Sequence, residues 1–167
     1  TVIGRCNFYL DQVDALRKTL VNDSDLQTLD QYTGEVYCAR ALAYSELIKC
    51  FCEAYDENKD QLGVVLRTSY FNEEPVKRAS LKDSYRLVLD DLSKAEGLLV
   101  EKDGTRDYDS PYFTYAAVQA VRSRVALHMG DWKTAVEYSS KLIGNTEKFE
   151  LALASYQVTS DGMNEVD

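Results

Sequence analysis

The clearest periodicity in the chain runs through "SLKDSYRLVLDDLSKAEGLL", where Leu81, Tyr85, Val88, Leu92, Ala95 and Leu99 recur at alternating steps of four and three. That spacing predicts a helix of about five turns with one apolar stripe. Ser80, with Asp83 three residues later, resembles a capping box in which Asp replaces the usual Glu. Upstream, "EVYCARALAYSELIKCFCEAY" carries two adjacent stripes: Val36, Ala43, Leu47, Cys50 and Ala54 on one, and Tyr37, Ala41, Tyr44, Ile48, Phe51 and Tyr55 on the other. So broad an apolar face predicts a helix packed on more than one side. It is expected to start as early as Asp23 or Ser24, either of which can cap it, with Gly34 a weak point inside. At the opening, "TVIGRCNFYLDQVD" already has Ile3, Cys6, Leu10 and Val13 at helical spacing, so the chain reads as a piece of something longer.

Between the second and third helical patterns lies "DENKDQLGVVLRTSYFNEEPVKRA", a long loop with a short β-like run from Val64 to Arg67. Connections of that length often carry function. After the polar loop "EKDGTRDYDSPYF", Ser110 is expected to cap a helix and Pro111 to take its first position. That helix, "YFTYAAVQAVRSRVALHM", bears small residues at Ala116, Ala117, Ala120, Ser123 and Ala126, which allow close approach of a second axis. In "HMGDWKTAVEYSSKLIG" the chain then reverses: Gly130 permits the turn, Asp131 caps a new helix, Trp132 is expected to fill the wedge, and Ala135 is the small crossing contact. This is the turn chemistry of a tetratricopeptide helix pair. Trp132, Ala135, Val136, Ser139, Leu142 and Ile143 share one face, and Gly144-Asn145 ends the helix. Phe149, Leu151 and Leu153 then alternate with other residues as in a short extended segment. The predicted fold is all-α, built of tetratricopeptide-like antiparallel helix pairs with long connecting loops, over 1–154, followed by a loose polar tail at 155–167.

Composition narrows the function. At 167 residues and 45% apolar there is material for one core. A net charge of −9 discourages attraction to phosphate backbones, so nucleic acid is not expected as a partner. No window reaches the roughly 18 consecutive apolar residues of a membrane span, and no signal peptide pattern is present. Cys50 and Cys52, two apart on a helix, point away from one another; with Cys6 and Cys38 they read as small core hydrophobes. A single histidine, His128, lies beside a helix end where it can cap carbonyls, and no metal or cofactor is expected. Asp90-Asp91 and Glu73-Glu74 read as solvated faces, and Asp103, Asp107 and Asp109 fit no calcium loop. Without a paired nucleophile and base or a phosphate loop, the chain is not expected to be an enzyme.

Taken in order, "YCARALAYSELIKCF", "SLKDSYRLVLDDLSKAEGLL" and "FTYAAVQAVRSRVALHMGDWKTAVEYSSKLIG" resemble the helical core of the SusD/RagB family, the surface nutrient-binding lipoproteins that serve TonB-dependent outer-membrane transporters. The matching features are Arg40-Ala41-Leu42-Ala43-Tyr44, then Tyr85, Asp91-Leu92 and Ala95, then Gly130-Asp131-Trp132. Asn7 and Leu10 match the family's earlier helix and "KFELAL" the segment after its last hairpin, so the resemblance covers roughly 3–153. Members typically carry a signal, a lipid-bearing Cys and a second, loop-rich half; Cys6, inside a helical pattern, is not read as that anchor.

The resemblance implies a non-enzymatic nutrient-binding component, surface-exposed at the outer membrane, whose helices pack on a SusC-like TonB-dependent transporter while loops help to close over an oligosaccharide or peptide. Sugar faces stack on aromatic rings, and the loop aromatics that could serve are Tyr70, Phe71, Tyr108 and Tyr112. For each ring singly, anchoring its loop to the core is the plainer role, and Trp132 reads as a structural wedge. The alternative function is a generic tetratricopeptide adaptor binding a protein partner in the cytoplasm, where free cysteines are ordinary.

Overall fold

The broad apolar face predicted for the second helix needs partners on two sides, and it has them. The protein is described by a computed structural model for residues 1–72, 75–99 and 111–143. Those residues form helices α1 (Val2–Arg17), α2 (Asp23–Phe51), α3 (Leu81–Leu98), α4 (Tyr115–Met129) and α5 (Trp132–Ile143). Strands β1 (Leu62–Val65) and β2 (Arg78–Ser80) pair antiparallel between α2 and α3. Along α1 and α2 the contacts run in opposite senses: Arg17 pairs with Asp30, Tyr9 bonds to Thr33, and Asn7 bonds to Arg40. Along α2 and α3 the same holds, with Gly34 against Leu98 and Leu99, Tyr37 beside Lys94, and Arg40 on Asp91. The all-α arrangement of antiparallel pairs expected from periodicity is therefore the observed one.

The core lies where α2, α3 and α4 meet. Ile48, Leu81, Val88, Leu92, Val118 and Val125 are enclosed there, each contributing about 1.5–3 kcal/mol relative to exposure. The α3 stripe is buried as its spacing predicts, and the Ser80 hydroxyl accepts from the Asp83 N–H at 2.9 Å. The Asp83 carboxylate turns instead to Arg86, 2.5 Å away.

Several expectations change. The helix start expected at Asp23 or Ser24 falls one residue earlier, with Asn22 at the cap position and its side chain bonded to Asp25. Gly34 is no weak point: a Cβ there would lie 2.7 Å from Leu99 Cγ and 3.2 Å from Leu98 Cβ, so glycine lets the end of α3 press against α2. The β-like run expected at Val64 to Arg67 lies two residues earlier, as strand β1 at Leu62–Val65, and its partner β2 falls within the stretch expected to be loop. Arg78 holds the two together through Gly63 O at 2.6 Å and Leu62 O at 3.2 Å. Helix α4 starts at Tyr115 with Thr114 as cap, donated to by the Ala117 N–H, rather than at Pro111; Ser110 lies outside the described residues. Cys6 and Cys38 are core residues, whereas Cys50 is exposed and Cys52 half-buried.

At the reversal, Gly130 takes φ 74°. Its N–H bonds to Leu127 O at 3.1 Å and that of Asp131 to Ala126 O at 3.0 Å, a Schellman closure that satisfies carbonyls assigned above to His128. Asp131 Oδ1 accepts from the Thr134 N–H at 3.1 Å, and Ala135 is buried with its carbonyl bonded by Ser123 Oγ. Trp132 does not fill the wedge: it is 66% exposed, as Val136 is at 64%. Small side chains close the α4/α5 crossing, leaving the large ring outside. The expected extended run at 149–153 and the tail at 155–167 lie outside the described residues.

The acidic pair splits. Asp90 is solvated, but Asp91 is fully buried and accepts from Arg40 Nε at 2.7 Å and Nη2 at 2.8 Å. Neighbouring helix residues point about 100° apart, so Asp91 shares the inward face with Leu92 and Ala95.

Two outcomes are expected from urea denaturation. Asp91→Ala, which strands a buried guanidinium, should cost about 3–5 kcal/mol, far more than Asp90→Ala. Gly34→Ala should lose about 1–3 kcal/mol to overpacking, despite the better helix propensity of alanine; a gain in stability would show that α2 and α3 do not meet there as described.

Candidate functional site

The Arg40–Asp91 pair is the inner end of a polar chain that reaches the surface. Arg40 Nη1 also donates to Asn7 Oδ1 at 2.9 Å and to Thr68 O at 3.4 Å. Asn7, buried on α1, donates through Nδ2 to Arg67 O at 2.8 Å. Tyr44 completes the arrangement, its hydroxyl donating to Arg67 O at 2.7 Å and accepting from the Arg67 N–H at 2.8 Å. Burial pushes the Tyr44 phenol up, keeping it protonated and able to donate. Burial works against the Arg40 charge, yet the bond to Asp91 and its negative charge leave the guanidinium pKa above its ordinary value. Side chains of α1 and α2 thereby dock the loop main chain at Arg67 and Thr68, directly before Ser69-Tyr70-Phe71.

Those next residues meet α1. Asp11 Oδ2 accepts from Ser69 Oγ at 2.9 Å, the Tyr70 N–H at 2.7 Å and the Phe71 N–H at 3.4 Å. Loss of water on the loop side raises the carboxyl of this exposed residue, but these bonds prevail and hold its pKa below the ordinary 3.8. Phe8, one turn earlier, meets Tyr70 edge-on at 5.3 Å and Phe71 at 5.9 Å, while Tyr70 and Phe71 meet edge-on at 5.3 Å. All three rings remain exposed: 46% for Phe8, 54% for Tyr70 and 63% for Phe71. The rings stand at angles to one another, with main-chain and carboxylate groups beside them, and exposed ring surface of this kind is what sugar C–H faces stack on.

Of the sequence-predicted residues, the structure brings Tyr70 and Phe71 together. Their ring contacts are with Phe8 and with each other; Tyr112 is exposed ahead of α4, and Tyr108 lies outside the described residues. Phe8 and Asp11 were missed. The available signal was Phe8 itself, a large aromatic standing off the Ile3, Cys6, Leu10, Val13 stripe.

A concavity of about 370 Å³ lies between α1, α2 and α3, lined by Asp14, Arg17, Thr33, Tyr37 and Lys94 among others. The Tyr37 ring there carries Lys94 Nζ at 5.1 Å and Arg40 at 5.6 Å, so cations already occupy the ring environment. Among the described residues no group of three His, Cys, Asp or Glu side chains could hold a metal ion. Nor is any described helix long and apolar enough to cross a membrane.

Comparison with known proteins places this geometry in context. The chain resembles a putative sugar binding protein from Bacteroides vulgatus, at 23% identity and TM-score 0.74 over 88% of this chain and 32% of that one. It also resembles a SusD superfamily protein from Bacteroides thetaiotaomicron, at 24% identity and TM-score 0.70 over 95% of this chain and 32% of the other. A laminarin binding SusD-like protein shares 22% identity and TM-score 0.64 over 85% and 28% of the two chains. At these identities the likeness is one of fold, and the chain spans about a third of the length of these structures. No curated protein matches it. The sequence itself matches a SusD-like family, described as starch-binding and associating with the outer membrane, over residues 1–127, and the chain therefore belongs to the SusD-like family.

Proposed function

We propose that this chain is the helical part of a carbohydrate-binding protein of the outer-membrane surface, and that Phe8, Tyr70 and Phe71 form a platform for glycan. The observation that carries the reading is the exposure of three clustered rings, Phe8 on α1 and Tyr70 and Phe71 on the loop docked against it, where a loop merely anchored to the core would bury its rings. Membership in a family described as starch-binding supports a glycan as ligand, and the fold shared with a laminarin binding protein supports the same class. The protein binds its ligand without turning it over.

The family description also supports an outer-membrane location. There it works with a SusC-like TonB-dependent transporter, to which it hands the oligosaccharide. The exposed apolar positions of α5, Trp132, Val136 and Ile143, support a role for the α4/α5 end as a packing surface in the whole assembly. Tyr112, exposed ahead of α4, and Tyr108, earlier in the sequence, are proposed as accessory contacts to ligand.

Isothermal titration with soluble starch and with laminarin tests the reading. The double variant Tyr70→Ala, Phe71→Ala should weaken binding by roughly tenfold or more, at about 1 kcal/mol per ring, with the helical circular dichroism unchanged. Full affinity in that variant would remove the platform from the account. Because Asp11 stays ionised above the ordinary carboxylate pKa of 3.8, binding should be flat from neutral to mildly acidic pH and fall only below that value.

A further inference from the structure

We propose that Asp11 is the positioning residue of the aromatic platform, fixing from α1 the main chain of the loop segment that carries Tyr70 and Phe71. The proposal rests on the reading of those rings as the glycan surface. Phe8 and Asp11 stand three residues apart, so they neighbour each other on one face of α1. One supplies a ring to the cluster and the other the bonds that hold the loop rings beside it. Donors from three successive residues, Ser69 Oγ and the Tyr70 and Phe71 amides, converge on a single carboxylate oxygen. Charge-assisted bonds of this kind are about twice as strong as neutral ones.

Burial does not replace them, since both rings are more than half exposed. The upstream anchor at Arg67 and Thr68 fixes where the loop arrives, and the Asp11 bonds fix the direction in which the next two side chains leave it. Asp11 is itself exposed and outside the core, so its replacement should release the loop without opening the helices. A carboxylate beside the rings also favours a ligand that donates hydroxyl protons over one that carries negative charge.

The test compares the wild-type chain with Asp11→Asn and Asp11→Ala by amide hydrogen exchange, alongside titration with soluble starch and laminarin. Exchange at the Tyr70 and Phe71 amides should quicken by about tenfold or more in Asp11→Ala. Asp11→Asn, which keeps one acceptor, should lie between it and the wild type. Amides of α2 and α3, and the melting temperature, should stay in place, and glycan affinity should fall in the same order. Unchanged exchange at the two amides in Asp11→Ala would overturn the proposal whatever the binding did. Faster exchange with unaltered affinity would uphold the latch and overturn the assignment of the rings as the glycan surface.

Discussion

A guanidinium and a carboxylate enclosed among apolar helices are tolerable only when their polar atoms find partners, and each nitrogen of Arg40 and both oxygens of Asp91 do, through a two-pronged pair and the bonds of Arg40 to Asn7 and Thr68 O. Each partner comes from a different helix: Asn7 from α1, Arg40 from α2, Asp91 from α3. A shift of any helix along its neighbour would leave a buried charge or amide unpaired, at a cost well above that of a mispacked methyl group. The apolar stripes supply most of the free energy of burial but define position loosely; the polar chain fixes the register of three helices against one another.

The same chain explains why a long loop can present a defined surface. Fixing an irregular segment costs roughly 1–2 kcal/mol per residue in backbone entropy, which must be offset by bonds at specific places. Arg67 and Thr68 are held from inside by Asn7, Tyr44 and Arg40, and Ser69 to Phe71 from outside by Asp11. With their own main chain held by Asp11 and the residues before them held from inside, the rings of Tyr70 and Phe71 can remain exposed without being free to wander. Glycan binding by stacking needs that combination, because a ring that must be ordered on binding loses much of what the contact gains.

The sequence was legible where periodicity decides structure and opaque where partners distant in sequence do. Leu81, Val88, Leu92 and Ala95 could be placed on a buried face from their spacing alone, and so could the reversal at Gly130-Asp131. Trp132, Val136 and Ile143 show the limit, because spacing names a shared face without saying what lies against it. Asp91 was indistinguishable from a solvated acid because its partner is 51 residues away. Strand β2 was missed because Arg78-Ala79-Ser80 is short and largely exposed, held by main-chain pairing and the Arg78 side chain rather than by an apolar pattern. The platform combines both cases: Tyr70 and Phe71 stood out as loop aromatics, whereas Phe8 and Asp11 became part of it only when α1 met a loop some 60 residues on.

The docked loop and α1 together form the proposed glycan surface. A crystal structure of the chain with maltoheptaose or a laminarin oligosaccharide tests it most directly. The expected result is a sugar ring with its C–H face against Phe8, Tyr70 or Phe71, hydroxyls beside the loop, and the Arg40–Asp91 pair intact beneath. An oligosaccharide seated elsewhere, with those three rings still open to solvent, would contradict it.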